Sequence, residues 1–199
     1  MSTGRVVLAV TGASGAIYAQ RLARHLAEGF EEVYLMVSNQ AIDVAMTEIG
    51  VAINRKSFDT TSWLGKQYLN VHLLDEKDYF TPPASGSFRH DGMVICPCSM
   101  GTAGRIANGI SNDLVTRSAD VCLKERKPLI LVPREMPWNL IHLRNMTQLA
   151  EAGAVILPAS PAWYQKPKSL EDLADTVVAR ILQQLGVQHN LMPQWMVED

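Results

Sequence analysis

The sequence is poor in several things that would commit it to a particular class of protein. Its three cysteines, Cys96, Cys98 and Cys122, are an odd number that cannot all pair within one chain. The Cys-Pro-Cys spacing is too tight for a zinc knuckle, so reduced structural thiols are expected. No apolar run approaches the roughly 20 residues that a membrane-spanning helix requires. The start, MSTGR, lacks the charged region and apolar core that direct secretion. Basic residues are not in excess: 18 Lys and Arg against 20 Asp and Glu leave a formal charge of −2, without the positive field of a nucleic-acid-binding protein. Linker-like stretches are missing too. With 199 residues the chain can bury one substantial core. A single domain spanning 1–199 in the cytoplasm is expected, with no membrane span and no nucleic-acid partner.

What is present begins at Arg5 to Glu28, RVVLAVTGASGAIYAQRLARHLAE. An apolar run, Val6 to Val10, stops at Thr11-Gly-Ala-Ser-Gly15, after which Ile17, Leu22 and Leu26 recur at helical spacing. This is strand, tight turn, helix. Gly12 and Ala13 lack bulk, and the amides at the helix start with the Thr11 and Ser14 hydroxyls could hold an anion, a phosphate above all. Packing of helix on sheet is the plainer role of such a turn, since GASG is not GxGxxG.

The unit then repeats. Glu32 to Val37 reads as a strand and Gln40 to Ile49 as a helix, which puts Ser38 at a strand's C-terminal end, where open α/β sheets bind ligands, and where Ser also caps helices well. Glu48 ends that helix, poorly placed against its dipole and either solvated or aimed at the same crevice. Val51 to Lys66 follows no period. Tyr68 to Leu74 has strand character, and Asp75 to Arg89 is too rich in Pro, Gly and Ser for a regular element. With Tyr79 and Phe80 on it, that segment reads as a lid or a subunit contact. Gly92 to Cys96 is a buried-strand pattern delivering Ser99, Met100, Gly101 and Thr102 to a helix expected near Ala103, a second turn of the first kind on the same sheet edge. Asn112 to Glu125 reads as a capped helix carrying Arg117 and Lys124. Leu129 to Val132 is another strand, ending at Arg134 and Glu135 between prolines. Arg can hold phosphate through a forked geometry, and Glu135 could donate a proton if desolvation or a phosphate raised its pKa. A helix over Asn139 to Ala152, a strand over Ala154 to Leu157, a Pro-rich loop with Trp163 and Tyr164, and a final helix capped by Ser169 and flanked by Arg180 complete the pattern. The tail, 187–199, with Trp195, is expected to dock on the domain or on a neighbouring subunit. The fold class is α/β: a flavodoxin-like (Rossmann-like) three-layer sandwich with a mostly parallel central sheet.

Taken together, TGASGAIYA, the Ser38 turn, PPASGSF, MVICPCSMGT, RSADVCLKERKPLILVPRE, GAVILPASPAWY and Pro193-Gln-Trp195 resemble the flavin prenyltransferases, the UbiX/Pad family, from Arg5 to Trp195 and in the family's order. LKERKPLILVPRE is the most specific of them. The resemblance implies a homo-oligomer, typically a dodecamer, that joins a dimethylallyl group from dimethylallyl monophosphate to reduced FMN. It further implies that the prenylated FMN serves a decarboxylase of the UbiD class. By position it implies that Gly12, Ala13, Ser14, Ser38, Ser99, Met100, Gly101, Thr102 and Arg134 bind FMN. Tyr164 and Arg180 match positions for the dimethylallyl phosphate, and Arg117, Lys124 and Glu135 match the phosphate end of that site, some reaching across from a neighbouring subunit. Ser14 and Glu48 match the polar pair beside the flavin's reacting edge. Two positions depart: Asn39 stands where several members carry Lys, and Tyr79 where some carry Trp.

Residue types make the implied chemistry plausible. Lys124, Arg134, Arg180, Tyr164 and Glu135 would stabilise a departing phosphate, Tyr79 or Trp195 would shelter the allyl group's positive charge, and Glu48, relayed by Ser14, would take the ring proton released when the bond at C6 forms. No metal ligand is needed. Two competitors remain. A flavin-dependent decarboxylase of the phosphopantothenoylcysteine type carries a PxMNxxMW clamp and a late Ala-Cys-Gly flap, where this chain reads PREMPWN and PASPAWY with no late cysteine. A non-catalytic FMN carrier would not need the cationic set.

Overall fold

Strand β1 (Arg5–Val10) is buried from Val6 onward, the mark of a strand covered on both faces, and its side chains alternate between two cores. Val6, Leu8 and Val10 point to one, and Val7 and Ala9 to the other. In the computed structural model, which describes residues 4–192, β1 lies inside a six-stranded sheet. The other strands are β2 (Glu32–Val37), β3 (Val71–Leu74), β4 (Met93–Cys98), β5 (Leu129–Pro133) and β6 (Val155–Ile156). Their order is β3-β2-β1-β4-β5-β6, and every pairing is parallel. The helices α1 (Ala16–Gly29), α2 (Asn39–Ile49), α3 (Thr60–Leu64) and α7 (Leu170–Gln184) pack into the first core, and α4 (Met100–Ala107), α5 (Leu114–Lys124) and α6 (Leu140–Glu151) into the second. The result is the three-layer α/β sandwich of the flavodoxin-like, doubly wound class.

Several elements differ from the sequence reading, each for a local reason. β4 runs on through Pro97 to Cys98, because its register against β5 shifts between Ile95 and Cys98, and an irregularity of this kind accommodates a residue without an N–H. α4 begins at Met100 rather than near Ala103, since Ser99 Oγ accepts the Thr102 amide at 3.3 Å and caps the helix early. The stretch without a readable period contains α3, five residues too short to show one, which buries Trp63 and Leu64. Between β3 and β4 only a 3₁₀ turn, Pro82–Ala84, forms. Val187 and Leu191 pack against the first core. Residues 193–199, with Trp195, lie outside the described residues.

Sheet order reverses between β1 and β4, and the chain leaves these adjacent strands toward opposite faces. One side chain spans the opening. Thr11, only 4 % exposed, donates its hydroxyl to Pro97 O at 2.9 Å and accepts the Ser99 amide at 2.8 Å, while its own amide donates to Pro97 O at 3.2 Å. Thr11→Val keeps the shape and leaves the half-buried Ser99 amide without its partner, while Pro97 O keeps only the Thr11 amide, a loss of about 1–3 kcal/mol. A lowered urea midpoint with an unchanged m-value is expected, with Thr11→Ser retaining most of the stability.

Candidate functional site

The crevice at the reversal is a cavity of about 530 Å³, within the range of roughly 300–1,000 Å³ usual for small-molecule sites. It is lined by Gly12 after β1, Ser38 and Gln40 after β2, Glu76 and Lys77 after β3, Ser99, Gly101, Thr102 and Arg105 around the start of α4, and Asn112, Asp113 and Val115 at the start of α5. The hydroxyls of Ser38 and Ser99 are N-caps, taking the amides of Ala41 (3.1 Å) and Thr102 (3.3 Å). Each of the two therefore caps a helix and lines the crevice at once. Gly12 leaves no alternative to glycine, because a Cβ there would stand 2.4 Å from Gln40 Cβ. Arg105 donates to Asn112 Oδ1 at 2.6 Å and pairs with Asp113. Burial pushes the Asp113 carboxyl up, but bonds from Thr116 and Arg105 outweigh it and hold the group below its ordinary value.

For Glu48 the structure decides between the two alternatives left open by the sequence. Its carboxylate is neither merely solvated nor stranded against its own helix. Oε2 accepts the amides of Gly15 and Ala16, each at 2.8 Å, and so occupies the amino end of α1. Close packing of the small residues Ala16, Ala19, Ala41 and Ala45 brings α2 near enough for this. A carboxylate at a helix start contributes about 0.3–1 kcal/mol. The amides expected to receive a phosphate there are thus already engaged, and so is the Thr11 hydroxyl. Burial raises the Glu48 pKa, but hydrogen bonds from the Ser14 hydroxyl and the Ala16 and Gly15 amides, with the Arg134 charge, outweigh it and lower the pKa overall. The carboxylate is ionised at neutral pH and in contact with Ser14. Arg134 completes the group by donating Nε to Ser14 O at 3.1 Å.

Other expected residues spread out. Ala13 is buried, its amide given to Thr11 O at 2.8 Å, and it faces a small void under the turn rather than the crevice. Met100 sits in the second core. Tyr164 and Arg180 line a separate cavity of about 430 Å³ beyond β6, with Thr176 and Gln184, and Arg180 donates to Gln183 Oε1 at 2.6 Å. The cationic set is not one cluster within a single chain. Lys124 pairs with Glu125 at the far end of α5 from the crevice, and Arg117 holds Ala84 O and Asp120. Glu135 is exposed, so this chain alone does not supply the desolvation invoked for it. Tyr79 donates its hydroxyl to Ser111 O at 3.4 Å, one residue from the crevice wall. The sequence reading missed Gln40, Lys77, Arg105, Asn112 and Asp113 as crevice residues. Asn112 and Asp113 were legible as helix caps, whereas nothing local marks the others.

Comparison with known proteins bears on what the crevice holds. The family model described as Flavoprotein matches residues 1–182. The flavin prenyltransferase UbiX of Pseudomonas aeruginosa is 47% identical over 195 residues, covering 96% of this chain and 93% of that protein. The chain belongs to the flavin prenyltransferase family. The crystal structure of AnUbiX (PadA1) with FMN and dimethylallyl pyrophosphate is 38% identical, covers 98% of each chain and has a TM-score of 0.87. That of a dodecameric FMN-dependent UbiX-like decarboxylase from Escherichia coli O157:H7 is 36% identical, covers 97% of this chain and all of its own, and has a TM-score of 0.85.

The residues present fit the cofactor of this family. The crevice has the volume, a ring of hydroxyls and, at Gly101, a glycine with open space beside it. Among the described residues no group of three or more His, Cys, Asp and Glu is arranged to hold a metal ion, and no helix is long and apolar enough to cross a membrane. Gly12→Ala forces the turn and α2 apart at the mouth of the crevice. Overpacking of this kind costs about 1–3 kcal/mol, so FMN affinity measured by fluorescence titration should fall at least tenfold with a lowered melting temperature.

Proposed function

We propose that this chain transfers the dimethylallyl group of dimethylallyl monophosphate to N5 and C6 of reduced FMN, giving prenylated FMN for a UbiD-type decarboxylase. The observation that carries this reading is the presence in one chain of two cavities, one lined by hydroxyls at helix starts and the other presenting Tyr164 and Arg180 for a second anion, together with the Ser14–Glu48–Arg134 contacts. Reduced FMN, when bound, supplies the two nucleophilic ring positions. The protein supplies the rest.

Ser38, Ser99, Gly101 and Thr102 hold the flavin with Gly12, and Arg134 fixes the Ser14 carbonyl so that its hydroxyl stays on Glu48. Tyr164 and Arg180, joined in the assembly by Lys124, Arg117 and Glu135, some of them from a neighbouring copy, receive the phosphate and stabilise it as it leaves. Tyr79 or Trp195 shelters the positive charge of the allyl group through its aromatic face. Glu48, ionised and in contact with Ser14, accepts the ring proton released at C6 through the Ser14 hydroxyl. A homododecamer in the cytoplasm suits this reading, since the cations of one chain are separated and its three cysteines are free and buried. The decarboxylase alternative lacks its acid–base thiol. Burial pushes Cys98 and Cys122 up to about 12 and Cys96 higher still.

Anaerobic incubation with reduced FMN and either dimethylallyl monophosphate or the diphosphate tests the reading. Release of phosphate with a flavin heavier by one C5 unit is expected with the monophosphate, and unchanged flavin mass with both donors would sink it. Glu48→Gln should retain FMN binding and form doubly bonded product at least about a hundredfold more slowly, the usual scale for a removed general base.

A further inference from the structure

Of the charged side chains of the crevice, one lysine has no direct partner among the described residues. Four ionisable side chains line the crevice, Glu76, Lys77, Arg105 and Asp113. Arg105 and Asp113 are paired with each other, and Glu76 Oε1 lies 3.5 Å from Arg55 Nη2. Lys77 differs. Its amide donates to Asp75 Oδ1 at 3.0 Å, but its ammonium has no ion-pair or hydrogen-bond partner among the described residues. The same cavity is walled by Ser38 and Gln40 at the amino end of α2. There Ser38 Oγ takes the Ala41 amide and Ser38 O that of Ile42, which leaves the amides of Asn39 and Gln40 at the positive end of an eleven-residue helix. α1 offers no such place, because the Glu48 carboxylate fills it and would repel a second anion.

We propose that Lys77 is a phosphate-binding residue, which with the amino end of α2 holds the flavin's terminal phosphate and sets the preference for FMN over the unphosphorylated flavin. The inference rests on the flavin reading given under Proposed function and adds the residue that reads the phosphate. Lys77 is an exposed residue of the crevice lining; an ammonium that reaches a dianion there forms a charge-assisted bond, and loss of one such bond is worth about tenfold in affinity. Riboflavin, which lacks the phosphate, should not sense the change.

The test is equilibrium titration of oxidised FMN and riboflavin, read by flavin fluorescence at low and high salt, with the full chain as wild type, Lys77→Gln and Lys77→Arg. The wild type should prefer FMN. Lys77→Gln should weaken FMN about tenfold, flatten its salt dependence and leave riboflavin within about twofold, while Lys77→Arg retains most of the preference. If Lys77→Gln keeps the wild-type ratio of FMN to riboflavin affinity, or the wild type binds the two equally, the proposal is overturned and the flavin reading survives. A wild type that binds neither flavin overturns both.

Discussion

The hydroxyl of Thr11 holds the sheet closed at the one place where its topology pulls it open. β1 and β4 are neighbours, yet their following helices depart to opposite faces, and backbone groups at the junction would otherwise be buried without partners. The Thr11 hydroxyl partners the Ser99 amide and adds a second donor to Pro97 O, which also takes the Thr11 amide. Because Ser99 is the cap of α4 and Gly12 follows Thr11 directly, the same contact sets the distance between the two turns that face the crevice. Packing of the layers and the position of the ligand-facing residues thus share a single buried hydrogen-bonded side chain.

Electrostatics then divides the sheet edge into two kinds of helix start. At α1 an internal carboxylate, Glu48, satisfies the amides and is stabilised as an anion in contact with Ser14. At α2 and α4 the caps are neutral hydroxyls, which satisfy one amide each and leave the positive end of the helix facing the crevice. The consequence is directional. A negatively charged group is favoured along the α2 and α4 side, and the α1 side is already occupied by an anion beside Arg134.

Much of this was legible in order along the chain. The strand–turn–helix units at Val6 to Leu26 and at Glu32 to Ile49 follow from apolar runs giving way to helical spacing, and Ser38, Ser99, Asp113 and Ser169 are recognisable as caps because a helix needs an oxygen at that point. α3 was not legible, since five residues cannot display a period, and neither was the extension of β4 through Pro97, which depends on a register shift against β5. Arg105 carries no local sign of its role, because its partner Asp113 comes after the end of its own helix.

By itself the sequence determined the layered α/β architecture, the edge of the sheet that binds, and the residues at the two turns, because periodicity, capping and small-residue turns act over a few residues. Tertiary structure alone decided which charges are free and which are spent. Glu48 and Gly15 are 33 residues apart, and Arg134 and Ser14 are 120 apart. A carboxylate read as a liability at the end of α2 becomes the cap of α1 only when two alanine-lined helices pack closely, and a lysine in an irregular segment gains meaning only when its neighbours in the crevice turn out to be paired. Ionic partnership depends on proximity in space, which no local spacing encodes.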